Sequence, residues 1–426
     1  MKERTRFEHE MRALDLGPIS HADFETPGKI VPGGSAKSPF PAAFAPPWTN
    51  SVKLQRAFDD AIAAVSDPRL YPAFGHLPNV RDVAITIAAI AEKVVDGKVT
   101  ELFRPRVGQH EFEMYYSGSL LKAAAMYAAY QLRVAVNDFV SDPAIAVLPD
   151  KDLFTAIERA LNPQIRKAVR RINDRKPPLD EKFLVPKYKE IFKIIRDAGK
   201  RASLDFDIQF MNHLRPMIVG SHNDSASFCI RALGYSWING VLEAAGFFAP
   251  QATKMEGIWL AGDYSTEWPV VVLPSVNDGL VKQVTTCYDM AWLFVMLHDR
   301  KLVKNDAGPA TGMSGNDEML SLLRLAVHDA GARTLLKRLF EPAAPPFDIL
   351  HSKIGVGELK GGDCRGGRVN RCTYSEAAIL QHRPSGRKFV VVFQGLVSLK
   401  ADPALWSDGL RRIVELIKLT MDKYVP

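Results

Sequence analysis

From Ser119 the chain runs into a strongly helical, Ala-rich and apolar stretch, Leu120-Leu-Lys-Ala-Ala-Ala-Met-Tyr-Ala-Ala-Tyr-Gln-Leu-Arg-Val-Ala-Val136. Such a helix buries most of its surface, and it takes a lysine with it. Lys122 stands among Leu120, Leu121, Ala123, Ala124, Ala125 and Met126, where loss of water penalises the ammonium and lowers its pKa. Ser119 lies three residues earlier, and residues three apart share a helix face. A serine hydroxyl is a poor nucleophile until a base takes its proton, and a neutral lysine is such a base. At the start of the helix, Ser119 also sits where unsatisfied backbone N–H groups can stabilise an oxyanion. The tetrad by itself is a common pattern. A second copy, Ser385-Gly-Arg-Lys388, falls on a predicted hairpin turn and reads as structural, and Ser119 alone would read as the cap of a core helix.

Two further motifs follow in order. Ser221-His-Asn223 precedes Asp-Ser-Ala-Ser-Phe-Cys-Ile-Arg-Ala-Leu-Gly234, and Lys353-Ile-Gly355 precedes Val356-Gly357-Glu358 ahead of the C-terminal strands. With these residues the sequence resembles the class A serine β-lactamases and the related penicillin-binding proteins, which carry Ser-x-x-Lys, Ser-x-Asn and Lys-Thr-Gly motifs. Thr285-Thr286-Cys-Tyr-Asp289 resembles the segment that opens the helix after that family's omega loop. The resemblance runs from about Ser51 to the C-terminus, with Asp150 to Lys200 unmatched. Ser314-Gly-Asn316 and Lys360-Gly-Gly362 also fit two of the motifs, but lie in an acidic turn and a glycine-rich loop; Ser221 and Lys353 are preferred.

The resemblance implies an α+β fold, an antiparallel sheet of about five strands flanked by helices, with an all-helical subdomain at about 119–300 and an insertion at about 150–200. It implies that Ser119 is acylated, that Lys122 accepts its proton and that Ser221 relays a proton to the leaving group. Asn223 would position Lys122 and the substrate amide, Lys353 would supply positive charge, and Gly355 and Val356 would border the substrate. The backbone N–H groups of Ser119 and Val356 would form the oxyanion hole. No cofactor and no metal are implied, and the partner is a small-molecule or peptide-like acyl substrate. Hydrolysis, acyl transfer and carboxypeptidase action share this machinery, and a silent binding protein on the same fold is the reading from another class.

Three departures bear on the substrate. Ile354 replaces the family's threonine, removing a hydroxyl that would help hold a substrate carboxylate, and a site lacking such a partner discriminates against the old ligand. The deacylating glutamate of the omega loop has two candidates, Glu256 in Met255-Glu-Gly-Ile-Trp and Glu267 in Thr266-Glu-Trp-Pro. The first twenty residues hold no apolar run of the kind a secretory signal needs, so a cytoplasmic location and a small metabolite target are expected.

Composition sets the remaining bounds. With 47% hydrophobic and 24% charged residues, the 426-residue chain can bury a sizeable core. The net charge of +7 is diluted over that length; Arg166, Lys167, Arg170, Arg171, Arg175 and Lys176 read as a solvated helix face, and neither nucleic acid nor membrane is an expected partner. Cys229, Cys287, Cys364 and Cys372 lack metal-ligand spacing. Cys364 and Cys372 are close enough to pair if oxidised. The Pro-, Gly- and Ser-rich stretch from Pro27 to Pro47 predicts a poorly ordered extension over residues 1–50.

Along the rest of the chain, Leu54, Phe58, Ile62 and Val65 recur at helical spacing, and Asp82 to Ala89 alternates as a strand. Further apolar helices are expected over Asp224–Ala245 and Tyr288–His298. Strands at Glu376–Gln381 and Lys388–Gln394 join through Arg383-Pro-Ser-Gly386. A closing helix is expected after Asp402-Pro403, with Leu410, Ile413, Val414, Ile417 and Met421 as its buried stripe.

Overall fold

The computed structural model describes residues 38–66, 82–95, 98–169, 172, 179–247, 257–265, 270–304, 308–309, 311–329, 334–338, 347–364, 370–398 and 403–424. Its centre is an antiparallel sheet in which β1 (Ala84–Val95), β2 (Lys98–Phe103), β3 (Arg106–Gln109), β10 (Phe347–Asp363), β11 (Asn370–His382) and β12 (Lys388–Ser398) take part. The order is β10-β11-β12-β1-β2, with β3 also pairing β1. The hairpin between β11 and β12 pairs Gln381 with Lys388, around the turn predicted from Arg383-Pro-Ser-Gly386.

Side chains alternate across this sheet because successive Cβ atoms of a strand point to opposite faces. On β12, Phe389, Val391 and Phe393 enter one core layer, with Ile85, Ile87 and Ala89 of β1. That layer is closed by α1 (Val52–Val65) and the C-terminal helix, whose Leu410, Ile413, Val414, Ile417 and Met421 are all buried. Val390 and Val392 enter the opposite layer, with Ala84 and Ala88. There they meet the larger helical half of the protein.

The helical half is organised around α2 (Lys122–Val140), preceded by a 3₁₀ turn at Gly118–Leu121. Fifteen of the nineteen residues of α2 are buried, so it is a central helix, as its apolar sequence demands. Around it lie α3 (Asp150–Ile165), α4 (Ile208–Val219), α5 (Asn223–Leu233), α6 (Tyr235–Ala245), α7 (Cys287–His298) and α8 (Gly315–His328). The one long helix expected over Asp224–Ala245 is corrected to two. Gly234 breaks it at φ +80°, and a Cβ there would lie 2.5 Å from the carbonyl oxygen of Leu184, so the chain bends where another segment crosses it.

This half also holds three two-stranded ribbons: β4 (Phe192–Arg196) with β5 (Ala202–Phe206), β6 (Trp259–Leu260) with β9 (Gln283–Val284), and β7 (Leu273–Ser275) with β8 (Gly279–Val281). The first strand of the first ribbon, β4, falls in the stretch 150–200, where helix was the main expectation, and its partner β5 follows directly after it. Lys193, Arg196 and Arg201 obscure the ribbon's short apolar alternation.

The expected poor order of the N-terminal extension is corrected for Ser38–Asn50. Phe40 stacks on Trp237 at 5.4 Å, Phe44 meets Phe247 at 6.0 Å, and Trp48 meets Tyr288 at 5.8 Å. Three aromatic side chains, four residues apart, supply the apolar area that overall composition hides. Residues 1–37, Asp402, and Arg170, Arg171, Arg175 and Lys176 of the basic run lie outside the described residues; Arg166 and Lys167 are exposed. Cys364 and Cys372 are disulfide-bonded across the β10–β11 hairpin, whereas Cys229 and Cys287 are free and buried. Among the described residues no helix is long and apolar enough to cross a membrane.

Candidate active site

The segment that delivers Ser119 is held from outside. The backbone of Tyr115 exchanges two hydrogen bonds with Thr285, at 3.0 and 3.1 Å. The side chain of Asn277, in the β7–β8 turn, clamps the next residue: its Oδ1 accepts from the Tyr116 N–H at 2.9 Å and its Nδ2 donates to the Tyr116 carbonyl at 3.0 Å. Thr286 caps α7, accepting from the Asp289 N–H at 3.0 Å, which anchors the partner of Tyr115.

Gly118 then turns the chain at φ +55°, and a Cβ on it would lie 2.5 Å from the carbonyl of Val356. The turn therefore rests directly on β10. From the strand side the fit is tighter still, since a Cβ on Gly355 would lie 1.9 Å from the Ser117 carbonyl oxygen and 2.9 Å from the Leu120 nitrogen. This contact explains why glycine must follow at this point of the Lys353-Ile-Gly355 motif. Gly355→Ala is expected to destabilise the protein by about 1–3 kcal/mol, as overpacking does, and to slow any chemistry at Ser119; thermal melting checks the first part, and an unchanged Tm would sink it.

Ser119 lies within the 3₁₀ turn and is 7% exposed. The capping positions of the turn and of α2 are Ser117 and Leu121, so a helix cap is not the role of Ser119. Lys122, the first residue of α2, is fully buried. Its Nζ donates to the Ser221 carbonyl at 2.6 Å and to Asn223 Oδ1 at 2.8 Å, and lies 4.4 Å from the centre of the Tyr264 ring.

Ser221 joins α4 to α5 with φ +58°, a left-handed conformation that costs a non-glycine residue about 1–3 kcal/mol. That conformation lets one residue face both lysines: Lys353 Nζ donates to Ser221 Oγ at 2.8 Å, and also to the Ile354 carbonyl at 3.0 Å. Asn223 is the first residue of α5, one past the capping position held by His222, so its side chain is free of capping duty and reaches Lys122. Lys353 lies mid-strand and is 1% exposed, not at a solvated strand end. Ile354 points the other way, into the core layer shared with α1.

Burial sets the charges, with a further push from Lys353 on Lys122. Desolvation, with help from the Lys353 charge, lowers Lys122 to about 6. Lys353 falls to about 7 through burial, partly offset by Glu376. Glu376 pairs with Ile354 in the β10–β11 ladder and is fully buried. It accepts from Ser352 Oγ at 2.5 Å, from the N–H groups of Leu335 and Leu336 at 2.8 and 3.0 Å, and from the Thr334 hydroxyl. Burial pushes its carboxyl up from the usual range, so it supports Lys353 incompletely.

The competing motifs go elsewhere. Ser314 caps α8, accepting from the Asp317 N–H at 3.2 Å, while Asn316 binds the Val303 backbone. Ser385 serves the β11–β12 turn, where its Oγ meets His382 Nδ1 at 2.8 Å and accepts from the Arg387 N–H at 3.2 Å. The Lys360 N–H donates to Asp278 at 2.6 Å. Glu256 and Glu267 both lie outside the described residues. Two residues that sequence reasoning missed are Asn277 and Tyr264. Asn277 sits in a Ser-Val-Asn-Asp-Gly turn signal; no local pattern marks Tyr264, since its partners are 146 and 37 residues away.

No family model matches the chain, and no curated protein matches it in sequence. Some solved structures are similar to it in fold. A β-lactamase from Chitinophaga pinensis is 12% identical, with 86% of this chain and 98% of that one covered at a TM-score of 0.41. The extended-spectrum β-lactamase TLA-1 is 11% identical, with coverages of 85% and 99% and a TM-score of 0.44. PBP-A is 13% identical, with coverages of 89% and 99% and a TM-score of 0.42.

Proposed function

We propose that this chain is a serine hydrolase that works through an acyl-enzyme on a small-molecule or peptide-like amide, ester or lactam, in the manner of the β-lactamases and penicillin-binding proteins. One observation carries the reading: Lys122 and Lys353, from different motifs, both converge on Ser221, one on its carbonyl and one on its hydroxyl. Motifs scattered by chance over more than two hundred residues have no reason to meet in space.

The chemistry follows from donor counting. A neutral lysine amine has two N–H donors and one lone pair. On Lys122 both donors are taken, by the Ser221 carbonyl and Asn223 Oδ1, which leaves the lone pair to accept the Ser119 proton. The Ser119 oxygen then attacks the substrate carbonyl carbon, and the oxyanion is met by the N–H groups of Ser119 and Val356. As the tetrahedral intermediate collapses, the bond to the leaving group breaks and that group takes the Ser221 hydroxyl proton, which Lys353 replaces. Water, or another acceptor, then releases the acyl group from Ser119. Gly355 keeps the β10 backbone close enough to border the substrate, and Asn223 holds Lys122 from the other side.

The Cys364–Cys372 bond bears on location. Cytosolic thiols are mostly kept reduced, so the bond favours an oxidising compartment over the cytoplasmic location expected from the sequence.

The reading is tested by intact mass after exposure to a fluorophosphonate, a fluorescent penicillin, a chromogenic cephalosporin and a p-nitrophenyl ester. One adduct per chain on Ser119 is expected, formed faster as pH rises through about 6, where Lys122 loses its proton. No adduct with any probe would overturn it.

A further inference from the structure

Tyr264 belongs to none of the three motifs, yet it touches Lys122 and the glycine that precedes Ser119. Its hydroxyl donates to the Gly118 carbonyl at 3.0 Å, and its ring face lies 4.4 Å from Lys122 Nζ. The ring is itself held firmly. Its backbone N–H donates to Ser227 Oγ of α5 at 3.0 Å. The preceding Asp263 is ion-paired to Arg231 of α5 at 2.6 Å and is 2% exposed. Gln283 binds the Gly262 carbonyl at 2.9 Å. The strap from Ala261 to Ser265 is thus tied to α5 and β9, and the tyrosine is its inward-facing contact with the site.

Resting on the acyl-enzyme reading above, we propose that Tyr264 is a positioning residue that aims the oxyanion donor through its hydroxyl and holds the Lys122 nitrogen through its ring. The first half follows from peptide geometry. A trans peptide is planar, so its C=O and the next N–H point in opposite directions. Fixing the Gly118 carbonyl therefore fixes the direction of the Ser119 N–H, the donor assigned to the developing oxyanion. That peptide needs an anchor because Gly118, at φ +55°, is the residue type with most freedom to rotate. The second half is electrostatic. The face of an aromatic ring is negative and attracts a cation, so the ring favours the ammonium form and opposes the burial that strips its proton.

The other groups acting on Lys122 are known by element. Ser221 and Asn223, at the start of α5, accept its hydrogen bonds. Lys353 on β10 repels it, and Glu376 on β11 offsets Lys353. Tyr116, before the nucleophile turn, interacts with Tyr264, and burial pushes its phenol up to about 12. Tyr264→Phe keeps the ring, and Tyr264→Leu keeps an apolar wall and removes the ring; both leave Ser221, Asn223, Lys353 and Glu376 in place and both remove the phenol that interacts with Tyr116.

Two readouts separate the halves: the fluorophosphonate acylation rate from pH 5 to 9, and the titration of Lys122 by NMR on protein with isotope-labelled lysine, assigned through Lys122→Arg. Tyr264→Phe is expected to acylate about tenfold more slowly, less than the loss of a whole oxyanion donor, with the acid limb of its pH profile unmoved. Tyr264→Leu is expected to lose as much and to move that limb, and the Lys122 titration, down by about one pH unit, the scale of a desolvated cation–ring contact. Wild-type acylation rates in Tyr264→Phe would overturn the hydroxyl's part. A Lys122 titration that stays in place or rises in Tyr264→Leu would overturn the ring's part. If the wild-type protein is not acylated at all, the acyl-enzyme reading and the hydroxyl's part fail together, while the NMR titration still decides the ring's part by itself.

Discussion

Replacing Ser119 by alanine is expected to abolish covalent labelling by every acylating probe and to lower turnover at least about a thousandfold, because nothing else can form the acyl bond. The residual rate would come from oxyanion donors and substrate binding alone. Stability is expected to change by less than about 1 kcal/mol, since Ser119 caps neither the turn nor the helix. Intact mass and steady-state kinetics on the same preparation check both parts. An adduct of unchanged yield on Ser119→Ala, mapped by peptide mass to another residue such as Ser221, would show that the nucleophile had been misassigned.

Lys122→Met is expected to lower the acylation rate by about 10²–10⁴-fold, the usual contribution of a general base, and to change how stability depends on pH. Folding lowers Lys122 from the ordinary lysine value of 10.5 to about 6 and Lys353 to about 7. Between the folded and unfolded values the unfolded chain binds the extra protons, so stability rises with pH across that window. Below about pH 6 both states carry these protons, and their contribution levels off at its least favourable value. Each lysine adds about 1.4 kcal/mol per pH unit to the slope. Lys122→Met keeps the apolar stem and removes one titrating group, so the slope between pH 8 and 10 should shrink by about that amount. Urea melts at pH 8, 9 and 10 measure it. Equal slopes in the two proteins would mean that Lys122 ionises as an ordinary lysine, and it could not then serve as the base.

Much of the fold was legible locally. The stripe Leu410, Ile413, Val414, Ile417 and Met421 is buried as its spacing requires, and the β11–β12 hairpin forms around its turn signal. Boundaries failed where a remote segment intervened. Gly234 reads as a tolerable residue inside one long helix until Leu184 is found against it. Phe40 and Trp48 fall in the extension read from its Pro-, Gly- and Ser-rich composition, and only their partners Trp237 of α6 and Tyr288 of α7 show what they pack against.

By itself the sequence determined which chemistry-bearing residues the chain could offer: a serine and a lysine one turn apart on an apolar helix, followed in order by Ser221-His-Asn223 and Lys353-Ile-Gly355. Helix spacing is a local property and an apolar run signals burial, so the direction of the Lys122 shift could be anticipated from its neighbours, whereas the part due to Lys353 could not. Only the tertiary structure decided which copies of the motifs meet. Ser314 and Ser385 bind their own turns, whereas Ser221, at a positive φ, receives lysines 99 and 132 residues away. Tyr264 and Asn277 entered the site the same way. Hydrogen bonds and ring contacts act over a few ångströms of space, and no pattern along the chain records which distant segments folding will bring within that range.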